Sequence, residues 1–203
     1  MRKSKREAIR RQVDALGIPP KDMVKKEISR HERKEAYRRL ARKLLTSVTV
    51  AAAIIIIITN LWITVLQIDG SSMNPLLHMD EIVLTVRTDR PQKGDVIAFY
   101  HENKLHVKRV IATENEKVDI SAEGIVSVNN IVIDEPYVSE QSLGVCDIEF
   151  PYQVPPGSYF VLGDNRPLAL DSREAAFGSV SRDRIVGKVA FRIWPFSKMG
   201  SVK

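Results

Sequence analysis

Hydrophobic and polar residues fall into three regimes along the chain. Residues 1–43 are polar and charged, in a helix-favouring composition that Ile18-Pro19-Pro20 interrupts, because proline lacks an N–H and clashes with the preceding helical turn. Leu44 to Ile68 contains no charged residue, and its centre is Ala51-Ala52-Ala53 followed by Ile54 through Ile58. After Asp69 the apolar runs are short and rich in β-branched residues: Glu81–Val86, Val96–Tyr100, Leu105–Thr113, Ser158–Leu162 and Ile185–Ile193. Gly124–Val128 and Ile131–Ile133 flank Asn129-Asn130, a hairpin signal, since Asn tolerates the positive φ of tight hairpin turns. Gly94-Asp95, Pro155-Pro156-Gly157 and Gly163-Asp164-Asn165 punctuate the runs as turns. Helical periodicity is scarce after Asp69 and there is no internal repeat. The pattern predicts one long apolar helix followed by a mainly β domain.

An uncharged run of that length, at 1.5 Å rise per residue, covers a hydrocarbon core of roughly 30 Å. In lipid only the helix satisfies every backbone group, which overrides the poor helix propensity of isoleucine. Trp62 stands at the downstream end, where an interfacial aromatic is expected. A cleaved secretory leader would have a shorter apolar core followed by a small-x-small site, and Gln67-Ile68-Asp69 does not fit one. The expected organisation is therefore a basic cytoplasmic tail (1–43), an uncleaved transmembrane signal-anchor helix (44–68) and an extracytoplasmic β domain (69–203). Arg42-Lys43 sets that orientation, because basic flanks stay in the cytoplasm.

Composition sharpens this division. The formal net charge is +6 with a pI near 9.5. However, residues 1–43 hold about 16 Lys/Arg against about 6 Asp/Glu. Taken from the chain totals of 31 and 25, this leaves about 15 against about 19 for the rest. The basic excess belongs to the tail, as a solvated segment or one lying against anionic membrane lipid. No nucleic-acid reading motif accompanies it, so nucleic acid is not an expected partner. Cys146 is the lone cysteine, which excludes an internal disulfide and a thiol metal cluster; no metal or cofactor is expected.

The candidate chemistry begins where the anchor ends, at Asp69-Gly70-Ser71-Ser72-Met73-Asn74-Pro75. Gly70 permits a tight turn, Pro75 stiffens the exit, and Ser72 between them can expose its hydroxyl. A serine becomes a nucleophile when a base takes its proton and donors await the oxyanion. Of the histidines, His31 lies in the tail, His101 in an expected turn at Tyr100–Lys104, and His78 in a loop. The strand Leu105–Ile111 puts His106, Lys108 and Val110 on one face, so that face offers two possible bases. Lysine, with a reference pKa of about 10.4, qualifies only if burial disfavours its ammonium.

Three ordered blocks resemble the type I (leader) signal peptidases, of the short single-anchor Gram-positive sort. Gly70-Ser71-Ser72-Met73-Asn74-Pro75 is similar to the family's nucleophile box. Gly94-Asp95-Val96-Ile97 leading to Val107-Lys108-Arg109-Val110-Ile111 is similar to its lysine box, and Gly163-Asp164-Asn165-Arg166 through Asp171-Ser172-Arg173 to its closing box. Asp134-Glu135-Pro136-Tyr137 matches a further family stretch. The resemblance runs from the anchor to about Pro195. It implies a signal-peptidase-like β fold and a plasma-membrane serine endopeptidase that needs no metal. Its substrates would be secretory preproteins, cut after a small-x-small motif such as Ala-x-Ala. Ser72 would be the nucleophile and Lys108 its base. The oxyanion donor would be the Ser72 N–H, with Gly70 and Ser71 shaping that turn. Asp171 and Arg173 would form a supporting ion pair with Asp164 nearby, and Met73 would pack inward or touch lipid.

Two positions depart from the pattern. Many members carry a serine two before the Asp of the closing box, where its hydroxyl helps orient the lysine; here Ala169 stands there, leaving that task to Ser172 or a water. Gly70 supplies no side-chain oxyanion donor, so a second donor must come from backbone. A histidine base is out of register, since Lys108 itself precedes Arg109. A non-catalytic membrane chaperone or assembly factor on the same scaffold is the competing reading, with Ala169 in its favour. Oligomeric state is left open.

Overall fold

The computed structural model describes residues 2–15, 17 and 21–202. Ile18-Pro19-Pro20, expected to break the tail, lies outside the described residues. The chain divides into two compact units between Ile58 and Thr59.

The first unit is helical. Helix α1 covers Arg2–Ala15, and α2 begins at Lys21 and runs without a break to Trp62. Its stretch to Ile57 is long and apolar enough to cross a membrane. Leu44, Leu45, Val48 and Ile54–Ile57 are all exposed, spread round the helix rather than confined to one stripe. A helix apolar on all sides and unburied by protein is suited to hydrocarbon. Its threonines fit that solvent too, since Thr46 Oγ1 donates to the Lys43 carbonyl at 2.9 Å and Thr49 Oγ1 to the Leu45 carbonyl at 2.8 Å.

The helix ends at Trp62, short of the expected Ile68. The next five residues, Ile63–Gln67, form strand β1 instead. The cause is pairing. β1 runs antiparallel to β2 (Ile82–Val86) in the register Ile63↔Val86 through Gln67↔Ile82, and alternation drops Leu66 into the core. A ladder and a buried leucine outweigh continuation of the helix.

The second unit is mainly β. The remaining strands are β3 (Val96–His101), β4 (Lys104–Ala112), β5 (Lys117–Ile120), β6 (Val126–Val128) and β7 (Ile131–Val132). They are followed by β8 (Tyr152–Gln153), β9 (Ser158–Leu162), β10 (Val180–Ser181), β11 (Ile185–Trp194) and β12 (Gly200–Ser201). The large sheet has the order β1-β2-β11-β3-β4-β9-β10, with β12 also paired to β11; the small sheet is β7-β6-β5-β8. The expected hairpin at Asn129-Asn130 is present, with φ of 51° and 66°. Glu102 and Asn103, φ 47° and 61°, make a second two-residue turn between β3 and β4.

The central strands are buried on both faces. Val96 and Ala98 of β3 enter one cluster with Leu66, Met73, Leu77 and Val189, whereas Ile97 and Phe99 enter another with Val110, Val161 and Phe177. On β9, Val161 joins that second cluster, while Phe160 and Leu162 join a third with Ile111, Val118 and Val126. β4 is thus clamped between β3 and β9, and its register Ile97↔Lys108 places one lysine at the middle of the packed strands.

Gly187 reports how closely β2 and β11 approach. A β-carbon there would lie 2.5 Å from the Val86 carbonyl oxygen and 2.8 Å from its carbon. Neither backbone atom can swing aside. Gly187→Ala is expected to destabilise the protein by about 1–3 kcal/mol, read from the denaturation midpoint in detergent; an unmoved midpoint would mean that β2 shifts freely.

Candidate active site

The turn carrying Ser72 is tied at both ends. The Ile68 N–H donates to the Glu81 carbonyl at 2.8 Å and the Asp80 N–H to the Ile68 carbonyl at 2.9 Å, closing the base of the loop. Gly70 adopts φ +100°, a region that side chains strain to reach. The Asn74 N–H then donates to the Ser71 carbonyl at 3.1 Å, and the Leu77 N–H to the Met73 carbonyl at 2.9 Å, which winds the chain. Met73, 2% exposed, packs with Leu77 in the core. Of the two places open to it, core or lipid, it takes the core and anchors the turn from beneath, so it is not the membrane-contact candidate.

Ser72 and Lys108, 36 residues apart, meet. Lys108 Nζ lies 2.6 Å from Ser72 Oγ. Lys108 is 3% exposed, and burial lowers its pKa from 10.5 to about 8; Asp171 and Asp164 oppose the fall and Arg173 adds to it. A groove of about 500 Å³ opens beside the pair, with Gln67–Gly70, Ser72 and Met73 on one side and Lys104–Lys108 on the other. His106 also lines it, but turns to aromatic neighbours. Its ring stacks on Phe99 at 6.1 Å and meets Phe177 edge-on at 5.4 Å. Burial, then the Lys108 charge, lowers its pKa. Among the described residues, Lys108 is the basic side chain bonded to the Ser72 hydroxyl.

Behind the pair lies a chain of buried ions. Arg173 forks onto Asp171 at 2.8 and 2.9 Å, and Asp171 also accepts the Gly163 N–H at 3.0 Å. Asp164 instead pairs with Arg109, at 2.9 and 2.7 Å. Arg109 further donates to the Gly94 carbonyl at 2.8 Å and sits 3.9 Å over the Tyr137 ring. The Tyr137 hydroxyl donates to Glu135 at 2.9 Å, and Glu135 takes a fork from Arg166 at 3.0 and 2.5 Å. Arg166 Nε donates to the Gly163 carbonyl at 3.1 Å, and Arg173 donates to the Arg166 carbonyl at 2.9 Å. The three pairs thus converge on the loop 163–166. Stripping one partner from a buried pair typically costs about 3–5 kcal/mol, because the other charge is left unpaired.

The structure brings Ser72 and Lys108 together and pairs Asp171 with Arg173. Ser172 is engaged elsewhere. Its hydroxyl accepts the Val161 N–H at 3.0 Å and donates to the Gly178 carbonyl at 2.8 Å, so it does not take over the holding of Lys108. Two loop residues had no role assigned from sequence. A β-carbon on Gly163 would stand 2.6 Å from the Ser72 carbonyl oxygen and 2.4 Å from Ala169 Cβ, so only glycine lets the loops touch. Asn165 bonds both the Ser71 and Ser72 carbonyls. The sole signal for either was membership of the Gly163-Asp164-Asn165 block. Among the described residues, no three His, Cys, Asp or Glu side chains converge as a metal site.

The chain is similar to known proteins. The family described as "Signal peptidase, peptidase S26" matches residues 41–194. Signal peptidase IB of Staphylococcus aureus is 36% identical over 174 residues, covering 76% of this chain and 90% of that protein. Signal peptidase I T of Bacillus subtilis is 33% identical over 170 residues, covering 77% and 87%. The crystal structure of a signal peptidase I from Enterococcus faecalis superposes with a TM-score of 0.41 at 29% identity, over 49% of this chain and 97% of that one.

The buried lysine yields a stability prediction. With its folded pKa below the unfolded one, the unfolded chain binds more protons between pH 8 and 10.5. Stability attributable to this group therefore rises with pH across that window. Below it the cost of burying an ammonium is fully present, about 3 kcal/mol. Lys108→Met, which keeps the stem and removes the charge, is expected to raise the melting temperature at pH 7. The gain should shrink as the pH climbs toward 10; a gain independent of pH would mean that repacking, not charge, causes it.

Proposed function

The chain belongs to the peptidase S26 family of signal peptidases, and from that membership we propose a mechanism: Ser72 attacks the scissile carbonyl and Lys108 is the base that activates it. The chain is a hydrolase that removes signal peptides, and its substrates are secretory preproteins. The observation that carries the mechanism is the 2.6 Å approach of a buried lysine amine to a serine hydroxyl at the groove.

The free amine of Lys108 takes the Ser72 hydroxyl proton as Oγ bonds to the carbonyl carbon. The oxygen of that carbonyl becomes an oxyanion facing the Ser72 N–H. Collapse breaks the C–N bond, and the Lys108 ammonium returns the proton to the departing amine. Water then attacks the acyl-serine, with Lys108 again the base, and Ser72 recovers its proton. Arg173 and Asp171 bias the lysine in opposite directions, so burial dominates its pKa. That keeps an appreciable share as free amine near neutral pH, where an unperturbed lysine offers only about one in a thousand.

Small-x-small specificity, typically Ala-x-Ala, fits a groove walled by Ile68, Met73 and Val107, where large side chains would overlap. Small side chains bind weakly, so anchoring enzyme and preprotein in one membrane supplies an effective-concentration gain. In this reading α2 spans the plasma membrane with its basic end cytoplasmic, where Arg38, Arg39, Arg42 and Lys43 lie against anionic lipid, and the β domain outside.

Ser72→Ala and Lys108→Arg are each expected to abolish cleavage of an Ala-x-Ala preprotein in detergent while leaving the fold intact. Arginine stays charged and cannot accept a proton, so turnover by the Arg variant would sink the lysine-base mechanism. Activity of the wild type should rise with pH through an apparent pKa near 8, because the amine must be free to act. A profile already flat below pH 7 would contradict it.

A further inference from the structure

The peptide unit joining Ser71 to Ser72 is held from behind by a side chain outside the dyad. The Asn165 side-chain amide donates to the Ser71 carbonyl at 3.1 Å, and the Asn165 backbone N–H donates to the Ser72 carbonyl at 3.1 Å. The Asn74 N–H meets the same Ser71 oxygen at 3.1 Å. Gly163 closes in beneath the Ser72 carbonyl, leaving no room for a β-carbon.

This bond is built at a rigid place. Gly163 is fastened through its N–H to Asp171 and through its carbonyl to Arg166, and Asp164 is forked onto Arg109. On the other side, the Asn165 carbonyl accepts the N–H groups of Leu168 at 3.2 Å and Ala169 at 3.0 Å. Asn165 therefore has little freedom of its own, and its amide passes the rigidity of the ionic chain to the turn of the nucleophile.

Planarity decides what this does. In a trans peptide the C=O of residue 71 and the N–H of residue 72 lie in one plane and point in opposite directions. Fixing the Ser71 oxygen fixes the direction of the Ser72 hydrogen. Among the described residues nothing accepts that N–H, and Ser72 itself lines the groove. We propose that Asn165 is a positioning residue for the oxyanion hole: its side-chain amide aims the Ser72 N–H at the carbonyl oxygen of the bound preprotein. The inference rests on the reading of Ser72 as nucleophile.

The effect should appear where charge develops. A misaimed donor still tolerates a neutral substrate carbonyl but fails the oxyanion, so turnover suffers and binding does not. Asn165 makes no hydrogen bond to Lys108 and carries no charge, so the pH profile should hold. A merely structural residue would disturb all three together.

The test compares full-length wild type, Asn165→Ala, Asn165→Leu and Ser72→Ala in detergent on one preprotein. Leucine keeps the branched shape of asparagine, with somewhat more bulk, and removes its polar ends. Both Asn165 variants should lose about 10–100-fold in kcat, with KM within about twofold and an unmoved apparent pKa. Affinity for a peptide aldehyde, whose adduct on Ser72 carries the oxyanion, should fall by the same factor as kcat/KM. Unchanged kcat in both variants overturns the proposal. So does a loss in which KM rises and the pH profile moves, since that marks a loosened site. If Ser72→Ala still cleaves, the assignment of Ser72 falls, and this inference with it.

Discussion

In the proposed mechanism Lys108 has to leave water to act as a base, and the central strands of the β domain pack around it. An ammonium in an apolar interior is costly, so burial lowers the pKa of the group to about 8 and frees a share of the amine near neutral pH. The cost is borne by the packing that surrounds it: β4 is clamped between β3 and β9, and its neighbours on both faces are core residues. A surface lysine on the same strand would keep its proton. Lys104, four residues earlier and exposed at the hairpin end of β4, shows how sharply the environment changes along one strand.

The charges near the lysine are arranged so as not to undo this. A lone carboxylate beside Lys108 would restore its ammonium. Instead Asp171 is matched by Arg173 and Asp164 by Arg109, each in a forked pair. Asp171 holds the Gly163 N–H, and Arg166 and Arg173 hold carbonyls of the same loop. Buried ion pairs add little net stability, but they specify one geometry. Here that geometry is the seating of one loop against another, with Gly163 as the hinge of contact.

Much of this was legible in the sequence, but unevenly. Strands β2, β3, β4, β9 and β11 stand out because their β-branched runs are bounded by turn residues. β1 did not, since Ile63–Gln67 is as uncharged as the apolar helix before it; only pairing with β2 separates strand from helix there. β8, β10 and β12, two residues each, are too short for a pattern to form, whereas β5 alternates as Lys117-Val118-Asp119-Ile120 but lacks the β-branched run that marks the longer strands. Ser72 and Lys108 came from the resemblance of their blocks. Strand alternation alone left His106 equally placed; the register of the lysine block separated the two, and in the structure the His106 ring stacks on Phe99 and meets Phe177 edge-on. Met73 was open between core and lipid until the turn was seen to be anchored through it. Arg166 and Glu135 lie 31 residues apart, and nothing local announces that they meet.

Ala169 carries the last step. The hydroxyl that other members place there is absent, and the Ser172 hydroxyl is consumed by Val161 and Gly178. The methyl group of Ala169 instead packs over Gly163, letting the loop close on the Ser72 carbonyl. Among the described residues, Lys108 Nζ is then left with Ser72 Oγ as its hydrogen-bond partner. For an ammonium, with three donors to satisfy, that would be a poor site. The nitrogen donates to Ser72 Oγ at 2.6 Å, and once it is a free amine its lone pair can take the Ser72 proton across the same short distance. The missing hydroxyl thus does not weaken the case for a base. With few acceptors around the nitrogen, burial lowers its pKa to about 8 and frees a share of the amine near neutral pH, and strand register sets where that nitrogen lies.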